Sequence, residues 1–409
     1  MSRVIVVGGG ASGMMAAFRA AKNGHEVLLL EKNVKLGKKI YITGKGRCNF
    51  TNACDVQDFF SNVVSNPKFL YSALYAFDPQ RMMDFVEGEG VPVKVERGKR
   101  AFPRSDHASD ITKALESAMK KANVEVRLNA CVSSLLVSDN RINGVVMSDG
   151  NQFSCDDVIL ATGGVSYPST GSTGDGHRML SSEGIAVTEL YPALVPFETE
   201  EKDITKLQGL SLKNVNLKVF DGKKICFDDF GEMLFTHFGI SGPLVLSASS
   251  HVTKILKDKK ITVSVDLKPA LSHEKLEQRI IREINENPKK SFAFLLRRLL
   301  PGKMPEVFFE RLSFDETKNL SDMTRVERSL LINTLKNFRI TVNATGGFKE
   351  AIITQGGVSV KEVTPSTMES KKIRGLYICG ELLDVDALTG GFNLQIAFST
   401  GYLAGESIR

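Results

Sequence analysis

The stretch "RVIVVGGGASGMMAAFRAAKNGHEVLLLEK", residues 3–32, decides the fold. It begins with an apolar run typical of a buried strand and passes through glycines into a helical pattern closed by Gly24. It ends in a second apolar run, "HEVLLLEK", that also reads as a buried strand. Strand, helix and strand in this order form a βαβ unit, which predicts a parallel sheet.

The glycines between the first strand and the helix form a GxGxxG fingerprint. Gly8 allows the tight turn, Gly10 lets a pyrophosphate approach, and Gly13 lets helix and strand pack closely. The free amides at the helix start, at Ala11 and Ser12, favour an anion. Glu31 follows Gly13 by 18 residues, where a carboxylate accepts hydrogen bonds from a ribose and repels a 2′-phosphate. We therefore expect an adenine dinucleotide here.

Composition sets the broad class of the chain. Its 409 residues exceed one ordinary core, and 42% hydrophobic with 24% charged residues is typical of a soluble globular protein. No apolar run approaches the length of a membrane span, so we expect a cytoplasmic protein. Six cysteines without CxxC or Cys/His ligand spacing argue against a disulfide framework and a structural metal site. The net charge of +6 permits anionic ligands without requiring nucleic acid.

The rest of the chain predicts an interrupted α/β domain. Short strands separated by turn signals between about 124 and 160 indicate a β-meander that returns to the parallel sheet. Strand patterns from about 191 predict a small β domain, and residues 271–338 carry amphipathic helices, the first of them capped by Ser272. We predict a nucleotide domain at 1–190 and 351–409, a β domain at 191–268 and 339–350, and a helical subdomain at 269–338.

Two later motifs distinguish FAD from NAD. "VILATGG", residues 158–164, and "LYICGELLDV", residues 376–385, resemble the second and third fingerprints of FAD enzymes related to glutathione reductase. "LTGGFNLQIAFSTG", residues 388–401, then opens the last helix, whose first amides would face the flavin N1 and C2 carbonyl. A glycine-capped core helix is the alternative for that segment. The candidates from these motifs are Thr162, Gly163, Gly164, Gly380, Glu381, Asp384, Gly391, Phe392, Asn393 and Leu394.

The chain resembles the YhiN/BaiN-like flavoproteins of bacteria over nearly its whole length. The resemblance rests on "VVGGGASGMMAA", "GKKIYITGKGRCNFTN", "AFPRSDHASDI", "ATGGVSYPSTGSTGDG", "MLFTHFGISGP" and "GELLDVDALTGGFNLQIAFSTG". It implies a Rossmann-like FAD/NAD(P)-binding domain, with parallel sheet and β-meander, interrupted by an inserted β-barrel and a helical subdomain. It also implies non-covalent FAD. Further cofactor-binding candidates are Lys32, Lys38, Thr43, Gly44, Gly46, Arg47, Cys48, Asn49 and Val132.

Three side chains are candidates for catalysis. His237, in the inserted β domain, could donate a proton to a substrate carbon next to the one that receives hydride. Tyr167 is a weaker candidate for the same task, and Arg47 could hold an anionic substrate or the reduced flavin. A structural histidine and a solvated loop cation are the alternatives. Cys48 and Cys54 have C-x5-C spacing, which favours two free thiols over a redox disulfide.

The resemblance implies hydride transfer through FAD and leaves the substrate open. The first hypothesis is NAD(P)H-driven reduction of a C=C bond conjugated to a ketone, as in a 3-dehydro bile acid, and the second is oxidation of a small amine such as aminoacetone. A flavin-dependent RNA-modifying protein ranks below both, because the basic runs lack interleaved aromatic residues. No second GxGxxG follows a strand, so we expect no dedicated NAD(P)H domain. Either NADH or NADPH visits the substrate cavity transiently, or the substrate itself reduces the flavin and oxygen reoxidises it. We expect a small-molecule substrate, no nucleic acid and no membrane; the oligomeric state stays open.

Overall fold

The computed structural model describes residues 1–409, which form 21 strands and 14 α-helices joined by loops and short 3-10 turns. The strands are β1 (Arg3–Val7), β2 (Glu26–Leu30), β3 (Thr51–Asn52), β4 (Val63–Ser65), β5 (Val93–Glu96), β6 (Arg100–Pro103), β7 (Glu125–Arg127), β8 (Val132–Ser138), β9 (Arg141–Met147), β10 (Gln152–Ser154), β11 (Asp157–Leu160), β12 (Tyr191–Ala193), β13 (Phe197–Thr199), β14 (Ser211–Asp221), β15 (Lys224–Phe235), β16 (Gly239–Ser241), β17 (Ile261–Asp266), β18 (Phe338–Thr345), β19 (Ile353–Gln355), β20 (Leu376–Ile378) and β21 (Asp386–Ala387).

The helices are α1 (Ala11–Lys22), α2 (Lys38–Ile42), α3 (Val56–Phe60), α4 (Tyr71–Ala76), α5 (Pro79–Gly88), α6 (Ala108–Lys121), α7 (Asp175–Ser182), α8 (Pro243–Leu256), α9 (His273–Glu286), α10 (Phe292–Leu299), α11 (Met304–Leu312), α12 (Arg325–Lys336), α13 (Gly347–Glu350) and α14 (Phe392–Glu406). The chain divides into a first unit, Met1–Ala193 with Phe348–Arg409, and a second unit, Leu194–Gly347.

A parallel five-stranded sheet organises the first unit, with strand order β20-β11-β1-β2-β7. Val4, Ile5 and Val6 of β1 are fully buried, as the apolar run predicts for a central strand. The chain proceeds from β1 to β2 on one side and reaches β11 and β20 on the other. In such sheets, ligands bind beyond the carboxyl ends of the strands where the order reverses, which here is the end of β1.

Helices α1 and α14 pack closely because small residues face each other. A Cβ atom on Gly401 would lie 2.3 Å from the Ser12 carbonyl oxygen, and one on Gly405 would lie 2.4 Å from the Ala16 carbonyl oxygen. These distances are too short for any side chain, so the glycines allow the backbones to touch. The contact fixes the start of α14 relative to the glycine-rich turn after β1.

Smaller antiparallel sheets complete the first unit. Strands β8, β9 and β10 form the predicted meander, and β3, β6 and β5 form a second three-stranded sheet. Two-stranded sheets join β12 to β19 and β4 to β21. The quoted stretch at 37–52 contains the short helix α2, a 3-10 turn at Thr43–Gly46 and strand β3. These elements bring the loop after β2 back towards the last helix.

The second unit is a closed antiparallel barrel with helices. Its strand order is β13-β16-β15-β14-β17-β18, and β13 closes the barrel on β18 with Phe197 opposite Thr345. Inward residues such as Leu217, Val219 and Val263 are fully buried. The Ser272 hydroxyl accepts a hydrogen bond from the Lys275 amide, 3.3 Å away, which confirms the predicted cap of α9.

One hydrophobic core serves both the barrel and the helices of this second unit. It includes barrel residues such as Phe235 and helical residues such as Phe308 and Leu331, and it is separate from the core of the first unit. The predicted class, an α/β nucleotide-binding domain interrupted by a barrel and helices, is thus confirmed. None of the helices is long and apolar enough to cross a membrane.

Candidate functional site

The glycine-rich turn lies at the carboxyl end of β1. The Gly8 amide donates to the Leu30 carbonyl oxygen, 2.8 Å away, and Gly8 has a positive φ of 107° that favours glycine. A Cβ atom on Gly13 would lie 1.8 Å from the Gly8 carbonyl oxygen, whereas one on Gly10 would meet nothing within 4 Å. The turn is therefore closed towards the protein and open at Gly10, where the first-turn amides of α1 lack intrahelical acceptors. This is the geometry of an anion site at a helix start.

Glu31 anchors the glycine-rich turn. Its buried carboxylate accepts hydrogen bonds from the Gly9 amide at 2.7 Å and from the Asn33 amide and side chain, both at 2.7 Å. A carboxylate has about four acceptor positions, so these three bonds leave room for one more donor. The predicted bond from a ribose hydroxyl is compatible with this arrangement.

The loop after β11 lies directly against the glycine-rich turn. A Cβ atom on Gly8 would lie 2.5 Å from the Ala161 carbonyl oxygen. The adjacent Thr162 hydroxyl is buried without a hydrogen-bond partner, and a Cβ atom on Gly164 would lie 2.4 Å from the Thr354 hydroxyl. The structure thus brings Thr162, Gly163 and Gly164 to the predicted nucleotide site.

Glu381 holds three loops together. Its carboxylate accepts hydrogen bonds from the Lys39 ammonium at 2.6 Å, the Ser166 hydroxyl at 2.9 Å and the Thr354 amide at 2.8 Å. Gly380, before it, approaches α1 so closely that a Cβ atom would lie 2.3 Å from the Ser12 hydroxyl oxygen. The Gly380 backbone therefore packs against the first turn of α1, while the Glu381 side chain fixes the surrounding loops.

The "ITGKGRCNFTN" stretch, residues 42–52, lies at the start of α14. A Cβ atom on Gly391 would lie 2.4 Å from the Thr51 carbonyl oxygen and 2.9 Å from the Asn49 side-chain oxygen. The Thr51 hydroxyl donates to the Gln395 side-chain oxygen at 2.6 Å, and the Asn52 side chain donates to the Gly390 carbonyl at 3.0 Å. Two motifs that we assigned to the flavin are therefore in direct contact, although nearly 340 residues separate them in sequence.

Arg47 is engaged by carboxylates of its own domain. Its guanidinium donates to Asp106 at 2.8 Å, binds Glu96 in a two-pronged contact, and lies 4.3 Å above the Phe102 ring. These bonds raise the pKa of Arg47, and the Arg47 hydrogen bond lowers the pKa of Glu96. Lys94 pairs with Asp106 at 2.6 Å and completes the cluster. The observed contacts give Arg47 the role of holding the loop, and its predicted contact with substrate or flavin stays a prediction.

The lysines near the site are also paired. Lys32 donates to the Thr173 hydroxyl at 2.6 Å and pairs with Asp175. Lys38 donates to the Asn33 side-chain oxygen at 3.1 Å and to the Ser169 carbonyl at 3.3 Å. Sequence reasoning missed Lys39, whose partner Glu381 is 342 positions away. In the sequence, only its position next to Lys38 could have indicated that Lys39 lies near the site.

Cys48, in the stretch at 42–52, and Cys54, just after it, are free thiols. Every cysteine in the chain is free, which confirms the interpretation of Cys48 and Cys54 as separate thiols. Burial raises the pKa of the Cys48 thiol to about 12 and that of the Cys54 thiol to about 11. Burial therefore disfavours the thiolate form of both side chains. Cys48 also has a positive φ of 59°, so its backbone forms part of the turn.

The two candidate proton donors lie in different units. Tyr167, in the first unit, is half-buried with a positive φ of 49°, and burial raises the pKa of its hydroxyl. His237, in the second unit, is exposed between β15 and β16, with its ring edge-on to Phe238 at 4.8 Å. His177, on α7 of the first unit, is buried. Its Nε2 bonds the Leu382 carbonyl at 3.2 Å, and its Nδ1 has no partner.

The remaining predicted cofactor residues lie in the first unit and serve its loops. The Thr43 hydroxyl donates to the Ile40 carbonyl at 2.6 Å, and the Asn393 side chain bonds both backbone groups of Ala387. Phe392 packs edge-on against Phe59 at 5.0 Å. Val132 is buried at the start of β8, Asp384 and Leu394 are half-buried, and Gly44 and Gly46 have positive φ angles.

Orphaned polar atoms test whether these residues fit FAD. The buried oxygens of Asn49 and Thr162 have no hydrogen-bond partner in the protein, and the same holds for His177 Nδ1 and the Thr112 hydroxyl. Buried polar atoms are normally satisfied, so each of these atoms is open to a hydrogen bond from a bound polar group. Together with the open helix start at Gly10, the residues present fit a flavin dinucleotide. Its pyrophosphate would face Gly10–Gly13, and its ring would lie near Asn49 and Gly391.

Comparisons with known proteins agree with this architecture. Residues 2–407 match the family model described as the HI0933-like protein Rossmann domain. The chain is 33% identical to the 3-dehydro-bile acid delta(4,6)-reductase of Clostridium scindens, over 100% of this chain and 99% of that protein. It is 32% identical to the ribosomal RNA dihydrouridine synthase of Haemophilus influenzae, over 100% and 98%, and 31% identical to the Escherichia coli protein of that name, over 99% and 97%.

A solved structure shares the fold at low sequence identity. The 3-ketosteroid-delta4-(5alpha)-dehydrogenase of Rhodococcus jostii superposes with a TM-score of 0.55 at 15% identity, over 99% of this chain and 96% of that one. Identity at this level supports the fold alone. The family match and the full-length relatives go further: this chain belongs to the HI0933-like Rossmann family, as its YhiN/BaiN-like motifs predict, and is an oxidoreductase of the flavin type.

Proposed function

We propose that the protein reduces a carbon–carbon double bond conjugated to a carbonyl group, with FAD as the hydride carrier. One observation carries this proposal: full-length relatives with different named substrates share that chemistry. A 3-keto steroid with 4,6 double bonds and a uracil ring both place C=C next to C=O. In both, hydride adds to the carbon β to the carbonyl and a proton adds to the α carbon. FAD, when bound, supplies the hydride from its N5 atom.

The chain's own residues would hold the flavin and supply the proton. The α1 amides would bind the pyrophosphate, and the amides at the start of α14 would stabilise negative charge on the reduced ring. A tyrosine hydroxyl is protonated at neutral pH, and burial raises the pKa of Tyr167 further, so this hydroxyl can donate a proton. His237 is the second candidate donor. NADH or NADPH as the source of electrons is part of this proposal.

The distribution of charge favours uracil in ribosomal RNA over a steroid as the substrate. The second unit, Leu194–Gly347, carries 25 Lys and Arg against 20 Asp and Glu, which is most of the net charge of +6 of the whole chain. A positive surface attracts the phosphate backbone. Two of the full-length relatives are named for dihydrouridine synthesis in ribosomal RNA. These observations favour an RNA substrate, against the expectation from the sequence that the protein takes no nucleic acid.

A steroid-type enone is the second candidate substrate. It is favoured by the relative at 33% identity, whose name specifies a 3-dehydro bile acid. A steroid would need an apolar cavity rather than a basic surface. The oxidation of a small amine, the remaining hypothesis, would consume oxygen instead of NAD(P)H.

The test is anaerobic. Purified yellow protein is reduced with NADH or NADPH and then mixed separately with deproteinised ribosomal RNA and with a 3-keto-4,6-diene steroid. Flavin reoxidation and mass spectrometry of the nucleosides or the steroid report the product. We expect flavin bleaching and dihydrouridine in the RNA. A reduced steroid with unchanged RNA would replace the first substrate by the second. If neither NADH nor NADPH bleaches the flavin, and the protein forms peroxide from aminoacetone in air, the proposed reductase activity is wrong and the amine oxidase replaces it.

A further inference from the structure

The helical part of the second unit carries an unusual cluster of cations. Between residues 282 and 303 there are six Lys and Arg and only two acidic residues. One of the acids, Glu283, is buried and paired with Arg298 at 3.0 Å. We name the exposed cations of this segment the basic face: Arg282, Lys289, Lys290, Arg297 and Lys303.

The cations of the basic face are not neutralised by ion pairs, and the same holds for the exposed Lys223 and Lys224 elsewhere in the unit. None of the five cations of the basic face forms an ion pair, whereas other cations of the same unit do. Lys206 pairs with Glu310, Lys318 with Glu327 and Lys336 with Asp266. Five unpaired cations within a segment of 22 residues raise the local positive potential, which attracts a polyanion.

An aromatic ring orders the middle of this face. Phe294, on α10, has the Lys290 ammonium 5.9 Å and the Arg298 guanidinium 5.5 Å from its ring centre. Phe294 and Arg297 are three residues apart on α10 and so share one side of it, and Lys290 lies in the turn just before the helix. Leu295, Leu296 and Leu299, on the opposite side, are buried in the core. The helix is thus anchored by its apolar side and presents cations outward. Phe294 thus lies among the cations, where the basic runs predict no interleaved aromatic residue.

We propose that the basic face binds the phosphate backbone of the RNA substrate and so strengthens the binding of RNA by the enzyme. This inference rests on the proposed RNA substrate and adds the surface that recognises it. Backbone contacts of this kind position a nucleic acid without reading its sequence, and their strength falls steeply with salt. A small steroid would not need such a surface.

The test compares two charge reversals. K289E/K290E reverses two neighbouring lysines of the basic face, and K223E/K224E makes the same charge change at exposed lysines of the β14–β15 turn. Binding of deproteinised ribosomal RNA is measured by fluorescence anisotropy over a salt series. We expect K289E/K290E to weaken binding by about tenfold or more at 0.1 M salt and to reduce the slope of log K against log salt by roughly 1.5. We expect K223E/K224E to change binding less than about twofold.

If the two charge reversals weaken RNA binding equally, the basic face is not the RNA-binding surface, because the affinity then depends on net charge alone. Failure of the wild-type protein to bind RNA would also overturn this proposal. Flavin content and anaerobic reduction of the flavin are measured on each variant, and R297E/K303E repeats the comparison if K289E/K290E does not fold. Reduction of uracil in RNA by both wild type and K289E/K290E, with equal binding, would refute this surface while leaving the proposed function intact. Reduction of the steroid alone would refute the RNA substrate itself.

Discussion

Gly391 shows how one missing side chain determines the candidate site. Its φ is 96°, and a Cβ atom would lie 2.4 Å from the Thr51 carbonyl oxygen. We expect G391A to lose bound flavin and to unfold at lower temperature, because the alanine would push β3 away from α14. Absorbance ratios of flavin to protein and thermal melting measure both effects. Gly90 is the matched control, since it has φ 85° and open space around it. G90A should cost only about 1 kcal/mol and keep the flavin.

Asn49 tests the assignment of the flavin position. Its buried side-chain oxygen has no partner in the protein, so a bound flavin is the group expected to satisfy it. We expect N49A to weaken FAD binding by about tenfold, the worth of one hydrogen bond in a buried site. The melting temperature of the flavin-free protein should hardly change. If N49A binds FAD as tightly as the wild type, the flavin does not contact Asn49.

Tyr167 tests the proton donor. Y167F removes the hydroxyl and keeps the ring, so we expect flavin reduction by NAD(P)H to continue at its normal rate. Product formation should fall about a hundredfold if this hydroxyl delivers the proton. Stopped-flow spectra separate the two half-reactions. Normal product formation in Y167F together with a large loss in H237A would assign the proton to the histidine instead.

At the scale of elements, Asp157 at the start of β11 gives the fold a pH dependence. Burial raises the pKa of its carboxyl group to about 6. The folded pKa lies above the ordinary value near 4, so the stability it contributes is present below pH 4 and lost as pH rises through 6. D157N should therefore stabilise the protein by roughly 1 to 2 kcal/mol at pH 8 and have little effect near pH 4. Denaturant titrations at both pH values check this, and an equal gain at both would contradict it.

Elements with local signals were predictable, and contacts between distant segments were not. The first βαβ unit and the Ser272 cap follow from residues a few positions apart, and both are present. The loop at 42–52 depends instead on Arg47 meeting Glu96, 49 positions away, and on Thr51 meeting Gln395, 344 positions away. No periodicity encodes such pairs. The same limit explains why Arg47 was expected to face a ligand, while its observed bonds are to carboxylates.

At the scale of the whole molecule, the chain has two hydrophobic cores, one in each unit. The second unit is one continuous segment, so we expect residues 194–347 to fold when expressed alone. Circular dichroism and a cooperative melting curve would show this. FAD should raise the melting temperature of the full chain and leave that of the isolated segment unchanged, because a ligand stabilises only the part that binds it. A segment that stays unfolded would show that its core depends on the first unit.

The closure of the barrel determines how the chain tolerates changes in its inserted segment. The segment enters through β13 and leaves through β18, and these strands pair with Phe197 opposite Thr345. Its two ends are therefore neighbours, held by the barrel's own hydrogen bonds rather than by the flavin domain. The insertion needs no partner strand from the first unit, so a change in its length or sequence leaves the parallel sheet of that unit intact.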